Sequence, residues 1–196
     1  APIISADANL AVGLPAPSLL GEHQQANAAM AMAVIGQLQQ QGFNIAHPHC
    51  VQGLQTAFWP ARLQPLESGY WRDQLPVGWK LYLDGGHNPH AAAAIIPWAK
   101  AQNLPIYLVM GMLENKDLEG YLQHWQGVAT QLYAISIPNE KSYSSHKMTE
   151  VAGRFGLQSS VAKSLEVALS LAKTQPVGVV LICGSLYLAG YVLGKN

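Results

Sequence analysis

Apolar and polar positions along this chain change their period near residues 50–60. Downstream, short aliphatic runs at Arg62–Leu66, Lys80–Leu83, Pro105–Met110, Leu132–Ile137 and Val177–Cys183 read as strands. Between and after them, Ala91–Ala101, Leu118–Gly127, Lys147–Phe155, Ser164–Lys173 and Leu186–Leu193 place apolar residues at helical spacing. Such alternation predicts βαβ units, hence an α/β fold with a mainly parallel sheet covered by helices on both faces. Upstream, Leu20–Leu38 reads as one helix, with Ala26, Met30, Ala33, Val34 and Leu38 at helical spacing and Gly21 as its entry. Gln39–Gly42 ends it, Phe43–Cys50 reads as a loop containing Pro48, and Val51–Phe58 as a short helix closed by Trp59-Pro60. The first 18 residues carry no sustained periodicity.

Composition narrows what this pattern can be. Eleven basic and eleven acidic residues give zero net charge with no Lys/Arg run, which excludes a nucleic-acid groove or an anionic membrane surface. Charged residues make up 11% of the chain, against about 25% in soluble domains, so part of the surface is expected to be apolar and normally covered. No secretory signal and no run of about 18 apolar residues is visible, and the expected location is cytoplasmic. Cys50, in a loop, and Cys183, in a strand, are expected as free thiols.

Four clusters stand where elements begin or end, the places at which backbone groups are free to meet a ligand. The first is Gly21–Asn27, in which Asn27 lies one helical turn beyond His23 and can offer a purine edge both a donor and an acceptor. The second is Trp59-Pro60-Ala61-Arg62, whose guanidinium can neutralise a transferring phosphoryl group. The third is the Asp84–His90 turn at a strand end, with Gly85 and Gly86 allowing a tight turn and an Ala-rich helix beginning beyond Pro89. The fourth is Cys183–Tyr187, where Gly184-Ser185 can present backbone amides and a hydroxyl to an anion. Each has a plainer reading: a solvated amide for Asn27, a surface cation for Arg62, caps for Asp84 and Ser185, and a backbone-satisfied His87. Gly111–Asp117 follows a strand towards the same side, with Lys116 a candidate carboxylate partner. His47-Pro48-His49-Cys50 falls short of the four ligands of a closed zinc site.

In this order, the four clusters resemble the dihydrofolate synthase/folylpolyglutamate synthase branch of the Mur-ligase superfamily. The resemblance runs from Leu20 to Tyr187, and the Asp84–Ala91 turn with Gly111–Asp117 is its most specific part. Ala61 stands where the family commonly has Gly, and Gly85-Gly86 replaces another small pair. The resemblance implies that residues 1–56 are the tail of a P-loop ATPase domain and 57–196 a Rossmann-like C-terminal domain. It also implies an intact enzyme that uses ATP and Mg²⁺ to phosphorylate a carboxylate of dihydropteroate or a folyl glutamate, which the amine of L-glutamate then attacks. Asn27, Arg62 and Asp84 would serve ATP, His87 and Ser185 would help place glutamate, and Arg62 and His87 would carry catalysis. No Gly-x-x-x-x-Gly-Lys-Ser/Thr loop occurs in the 196 residues, so the upstream ATPase domain would hold most of the ATP and metal site, and this chain alone is expected to be inactive. Two other readings stand beside it, a cell-wall Mur-type ligase fragment and a standalone nucleotide- or amino-acid-binding module.

Overall fold

The computed structural model describes residues 13–196, so most of the irregular lead-in expected over residues 1–18 lies outside the described residues. The chain divides into two compact units, Ala1–Pro60 and Ala61–Asn196.

In the first unit, α1 (Glu22–Gln40) buries the row Gln24, Ala28, Met32 and Gly36. The expected stripe through Ala26, Met30, Ala33, Val34 and Leu38 is therefore corrected: Met30 is 69% exposed and Val34 52%. A helix with Ala on every side has no single apolar face, and spacing alone cannot choose between rows one residue apart. Its partner α2 (His47–Thr56) starts inside the expected loop. Pro48 sits in the first turn, where a missing N–H costs nothing, and the Ala46 N–H donates to His49 Nδ1 at 3.1 Å. Cys50 is consequently a buried helical residue, packed with Leu14, Ala28, Met32 and Leu54, and the loop assignment is corrected.

The second unit is a six-stranded sheet with helices on both faces, as the alternating periods predict. Its strands are β1 (Gln64–Pro65), β2 (Lys80–Leu83), β3 (Ile106–Met110), β4 (Gln131–Ala134), β5 (Ser159–Val161) and β6 (Val179–Cys183). They lie in the order β1-β2-β6-β3-β4-β5, all parallel except the short edge strand β1. Strand β6 thus returns from the far edge to enter between β2 and β3, so the three central strand ends come from distant parts of the sequence.

Every residue of β3 and β6 is buried, and their side chains sort by period two. Ile106, Leu108, Met110, Val179, Leu181 and Cys183 face α3 (Pro89–Ala101), α4 (Leu118–Gln123) and α5 (Ser145–Arg154). Tyr107, Val109, Val180 and Ile182 face α6 (Leu165–Ala172) and α7 (Leu186–Lys195). The last helix is tied down at its end, because the buried Trp71 indole N–H donates to the Val192 carbonyl at 2.9 Å.

Several expected boundaries move. Strand β5 was not foreseen, being three residues of partly exposed Ser and Val. The Arg62–Leu66 run shrinks to two residues because Ala61 (φ 55°) and Leu63 (φ 44°) adopt left-handed backbone that no strand accommodates. The Leu118–Gly127 helix stops at Gln123, with Gly127 at φ 67° beyond it.

Candidate functional site

Three adjacent strands, β2, β6 and β3, deliver the second unit's polar groups to one edge of the sheet. Open parallel sheets bind ligands outside these carboxyl ends. A cleft of about 230 Å³ lies there, lined by His87 beyond β2, Asn115 and Lys116 beyond β3, and Gly184, Ser185 and Tyr187 beyond β6. The structure therefore unites His87, Ser185 and Lys116, which the sequence presents 98 residues apart at the extremes.

His87 is half-buried, with Nδ1 3.2 Å from the Gly85 carbonyl. A carbonyl only accepts, so Nδ1 carries the proton, and in the neutral ring Nε2 is left as the acceptor. Asn88 caps α3, its Oδ1 accepting from the Ala91 N–H at 2.9 Å, and Pro89 follows in the first turn. Ser185 caps α7: its Oγ accepts from the Tyr187 N–H at 3.1 Å, which leaves its own O–H to donate. Gly184 holds φ 99°, and a Cβ there would meet the Gly111 carbonyl oxygen at 2.6 Å. Lys116 is half-buried and forms no ion pair with any described residue, a cation beside the cleft without a carboxylate partner.

Asp84 is 5% exposed at the end of β2. Its Oδ1 accepts from the Gly86 N–H at 2.7 Å and its Oδ2 from the Leu63 N–H at 2.8 Å. The turn glycines serve space rather than backbone freedom, since neither Gly85 nor Gly86 has positive φ. A Cβ on Gly85 would strike the Leu186 side chain, and one on Gly86 would come within 2.7 Å of Asp84 Oδ1.

Arg62 is half-buried between the left-handed Ala61 and Leu63. Each such residue costs about 1–2 kcal/mol relative to ordinary backbone, so the loop persists only because its surroundings hold it. Ala61 occupies a position at which glycine would be free of this cost.

Asn27 belongs to the first unit, where it is exposed and donates through Nδ2 to Gln24 Oε1 at 3.0 Å. Gln24 Nε2 stands 3.0 Å from His23 Nε2, completing a polar row along the helix start. Among the described residues, no group of three or more His, Cys, Asp and Glu could hold a metal ion. Cys183, beneath the cleft, is buried, which pushes its thiol up to about 12, and the Asp84 charge adds to the rise. Such a thiol carries no nucleophilic role near neutral pH. Sequence reasoning missed the Asp84–Leu63 bond, and it placed Tyr187 at the end of the fourth cluster without giving it a role as a cleft wall.

A family model described as Mur ligase, glutamate ligase domain, matches residues 72–186, more than half of the chain. The chain belongs to the Mur ligase glutamate ligase domain family. This Mur-ligase chain is 28% identical over 171 residues to dihydrofolate synthase/folylpolyglutamate synthase of Escherichia coli, covering 86% of the chain and 37% of that protein. It is 26% identical over 175 residues to the protein of the same name from Bacillus subtilis, covering 87% and 38%. Among solved structures, E. coli FolC in complex with DHPP and ADP superposes with a TM-score of 0.74 at 25% identity, over 93% of this chain and 40% of that one. The folylpolyglutamate synthase/dihydrofolate synthase of Yersinia pestis complexed with AMPPNP and Mn ion gives 0.71 at 25% identity, over 93% and 40%. The chain thus spans under half the length of the relatives it matches. Among the described residues no helix is long and apolar enough to cross a membrane.

Proposed function

We propose that this chain is the C-terminal part of an ATP-dependent amide ligase that adds L-glutamate to dihydropteroate, to folylpolyglutamates, or to both, through an acyl-phosphate intermediate. The observation that carries the reading is the convergence of His87, Lys116 and Ser185 on one cleft at the carboxyl ends of β2, β6 and β3. Relatives named for this activity, and solved relatives described with ADP or AMPPNP, support it.

In this reading, transfer of the γ-phosphoryl group to the substrate carboxylate turns a poor acylating agent into one with a phosphate leaving group. Arg62 offsets the negative charge that accumulates during that transfer. Glutamate then enters the cleft with a carboxylate on Lys116 and the Ser185 O–H donating to it. Its amine attacks the acyl carbon, phosphate departs, and His87 Nε2, the acceptor left by the Nδ1–Gly85 bond, accepts the amine proton. Asn27 contacts adenine, and Asp84 serves the nucleotide side. ATP brings a divalent metal to such chemistry, but the described residues offer no donor set for it, and this chain's share is carried by the side chains named.

The upstream phosphate-loop domain belongs to the same proposed protein, and the 196 residues by themselves are expected to form no product. The test is an assay of the intact ligase with ATP and L-glutamate against dihydropteroate, folyl glutamates and muramyl peptides. Amide product from either folate supports the reading; product from muramyl peptides alone overturns it.

A further inference from the structure

Arg62 is the residue on which the proposed phosphoryl transfer rests, yet its side chain forms no hydrogen bond or ion pair with any described residue. The backbone around it is what fixes its place. Ala61 and Leu63, on either side, both hold left-handed conformations that an unconstrained chain would leave. The Leu63 N–H, on a residue 1% exposed, donates to Asp84 Oδ2 at 2.8 Å. The Gly85 N–H donates to the Ala61 carbonyl at 2.8 Å, and Gln64 Oε1 accepts from the Ala61 N–H at 2.9 Å. Asp84 meanwhile accepts from the Gly86 N–H through its other oxygen, so a single buried carboxylate joins the Arg62 loop to the turn that carries His87.

We propose that Asp84 is a positioning residue that acts on the nucleotide through Arg62, clamping the strained 61–63 loop so that the guanidinium is held at a fixed place relative to the strand-end turn. The inference rests on the role given to Arg62 in the proposed function. Two backbone N–H groups require an acceptor at each side-chain oxygen, which a carboxylate of this length supplies. An amide of the same shape offers one acceptor and sets an NH₂ group against a buried N–H. Charge-assisted bonds of this kind are also the stronger ones, suited to holding a backbone that would otherwise relax.

The experiment is a double-mutant cycle in the intact ligase with Arg62→Ala, Asp84→Asn and the pair, read as turnover with ATP in excess, together with amide hydrogen exchange at Leu63 in the unsubstituted chain. In the Arg62 background, Asp84→Asn is expected to lower turnover about tenfold or more; in the Arg62→Ala background it should lower it by less than about threefold, because the route through the guanidinium is already gone. Factors that multiply would show Asp84 acting on the nucleotide by itself and overturn the proposal. The exchange measurement needs no variant to fold: the Leu63 amide should be protected comparably to that of Gly86, and a freely exchanging Leu63 amide overturns the clamp. An Arg62→Ala enzyme with undiminished turnover removes the functional reading, a result distinct from either of these.

Discussion

The carbonyl oxygen of Gly111 lies 2.6 Å from the point a Cβ on Gly184 would occupy, so the chains leaving β3 and β6 touch backbone to backbone beneath the cleft. Gly184 also holds φ 99°, where L side chains are strained. Gly184→Ala should therefore destabilise the second unit by about 2–4 kcal/mol, combining positive-φ strain with overpacking. A shift of the denaturant midpoint at unchanged slope would show it; a shift under about 0.5 kcal/mol would mean the two strand ends part easily.

The two-period pattern was legible because burial enforces it. Strands β3 and β6, covered on both faces, read as continuous apolar runs, while the helices around them show their apolar spacing. The clustering of His87, Lys116 and Ser185 was readable only as separate strand ends: the insertion of β6 between β2 and β3 is a matter of topology, not of local spacing. The clamp on Arg62 was not readable at all, because nothing in an Ala-Arg-Leu triplet announces left-handed backbone, and the bond that holds it spans 21 residues. In α1 the Ala-rich composition erased the distinction between faces. At Ser185 the plainer expectation, a helix cap, describes the side chain's bond, and the cap is also what aims the residue at the strand-end edge.

Glu166 and Lys195 form an ion pair at 2.6 Å that joins α6 to the end of α7, where Lys195 also sits 4.4 Å from the Tyr70 ring centre. The hydrogen bond from Lys195 holds the Glu166 carboxyl below its ordinary 4.5, and the same bond holds the ammonium above its ordinary 10.5. A lowered carboxyl stabilises fully above its unfolded value and loses that contribution as pH falls through its folded value. A raised ammonium does the reverse, losing its contribution as pH rises above its unfolded value. The pair should thus contribute throughout the interval between 4.5 and 10.5 and fade outside it. Melting curves of Glu166→Gln against the parent should differ slightly at neutral pH and converge in acid; a gap that widens below pH 4 would contradict the assignment.

Cys50 and Cys183 are both buried and unpaired, and burial pushes the Cys183 thiol up to about 12. Thiolate is the reactive species, so the folded chain should be almost inert to a thiol-specific disulfide reagent at pH 8 and release two equivalents once unfolded. Rapid labelling of one thiol in the folded state would show that its unit opens far more readily than its packing implies.

Lys116 and Arg62 lie on the same unit but are assigned to different halves of the reaction, and their substitutions should separate kinetically. Lys116 lines the cleft together with His87 and Ser185, where it would meet a carboxylate in the ground state as well as during attack. Lys116→Ala in the intact ligase should therefore raise the KM for glutamate about tenfold or more with little change in that for ATP, since losing uniform binding moves KM before kcat. Arg62 would act on charge that develops only as the phosphoryl group transfers, so Arg62→Ala should lower kcat about 10²-fold or more with glutamate KM nearly unchanged. Steady-state kinetics varying each substrate in turn distinguishes the two. If Arg62→Ala altered only folate affinity, the guanidinium would be a substrate contact instead, and the phosphoryl-transfer assignment would fall while the place of Lys116 stood.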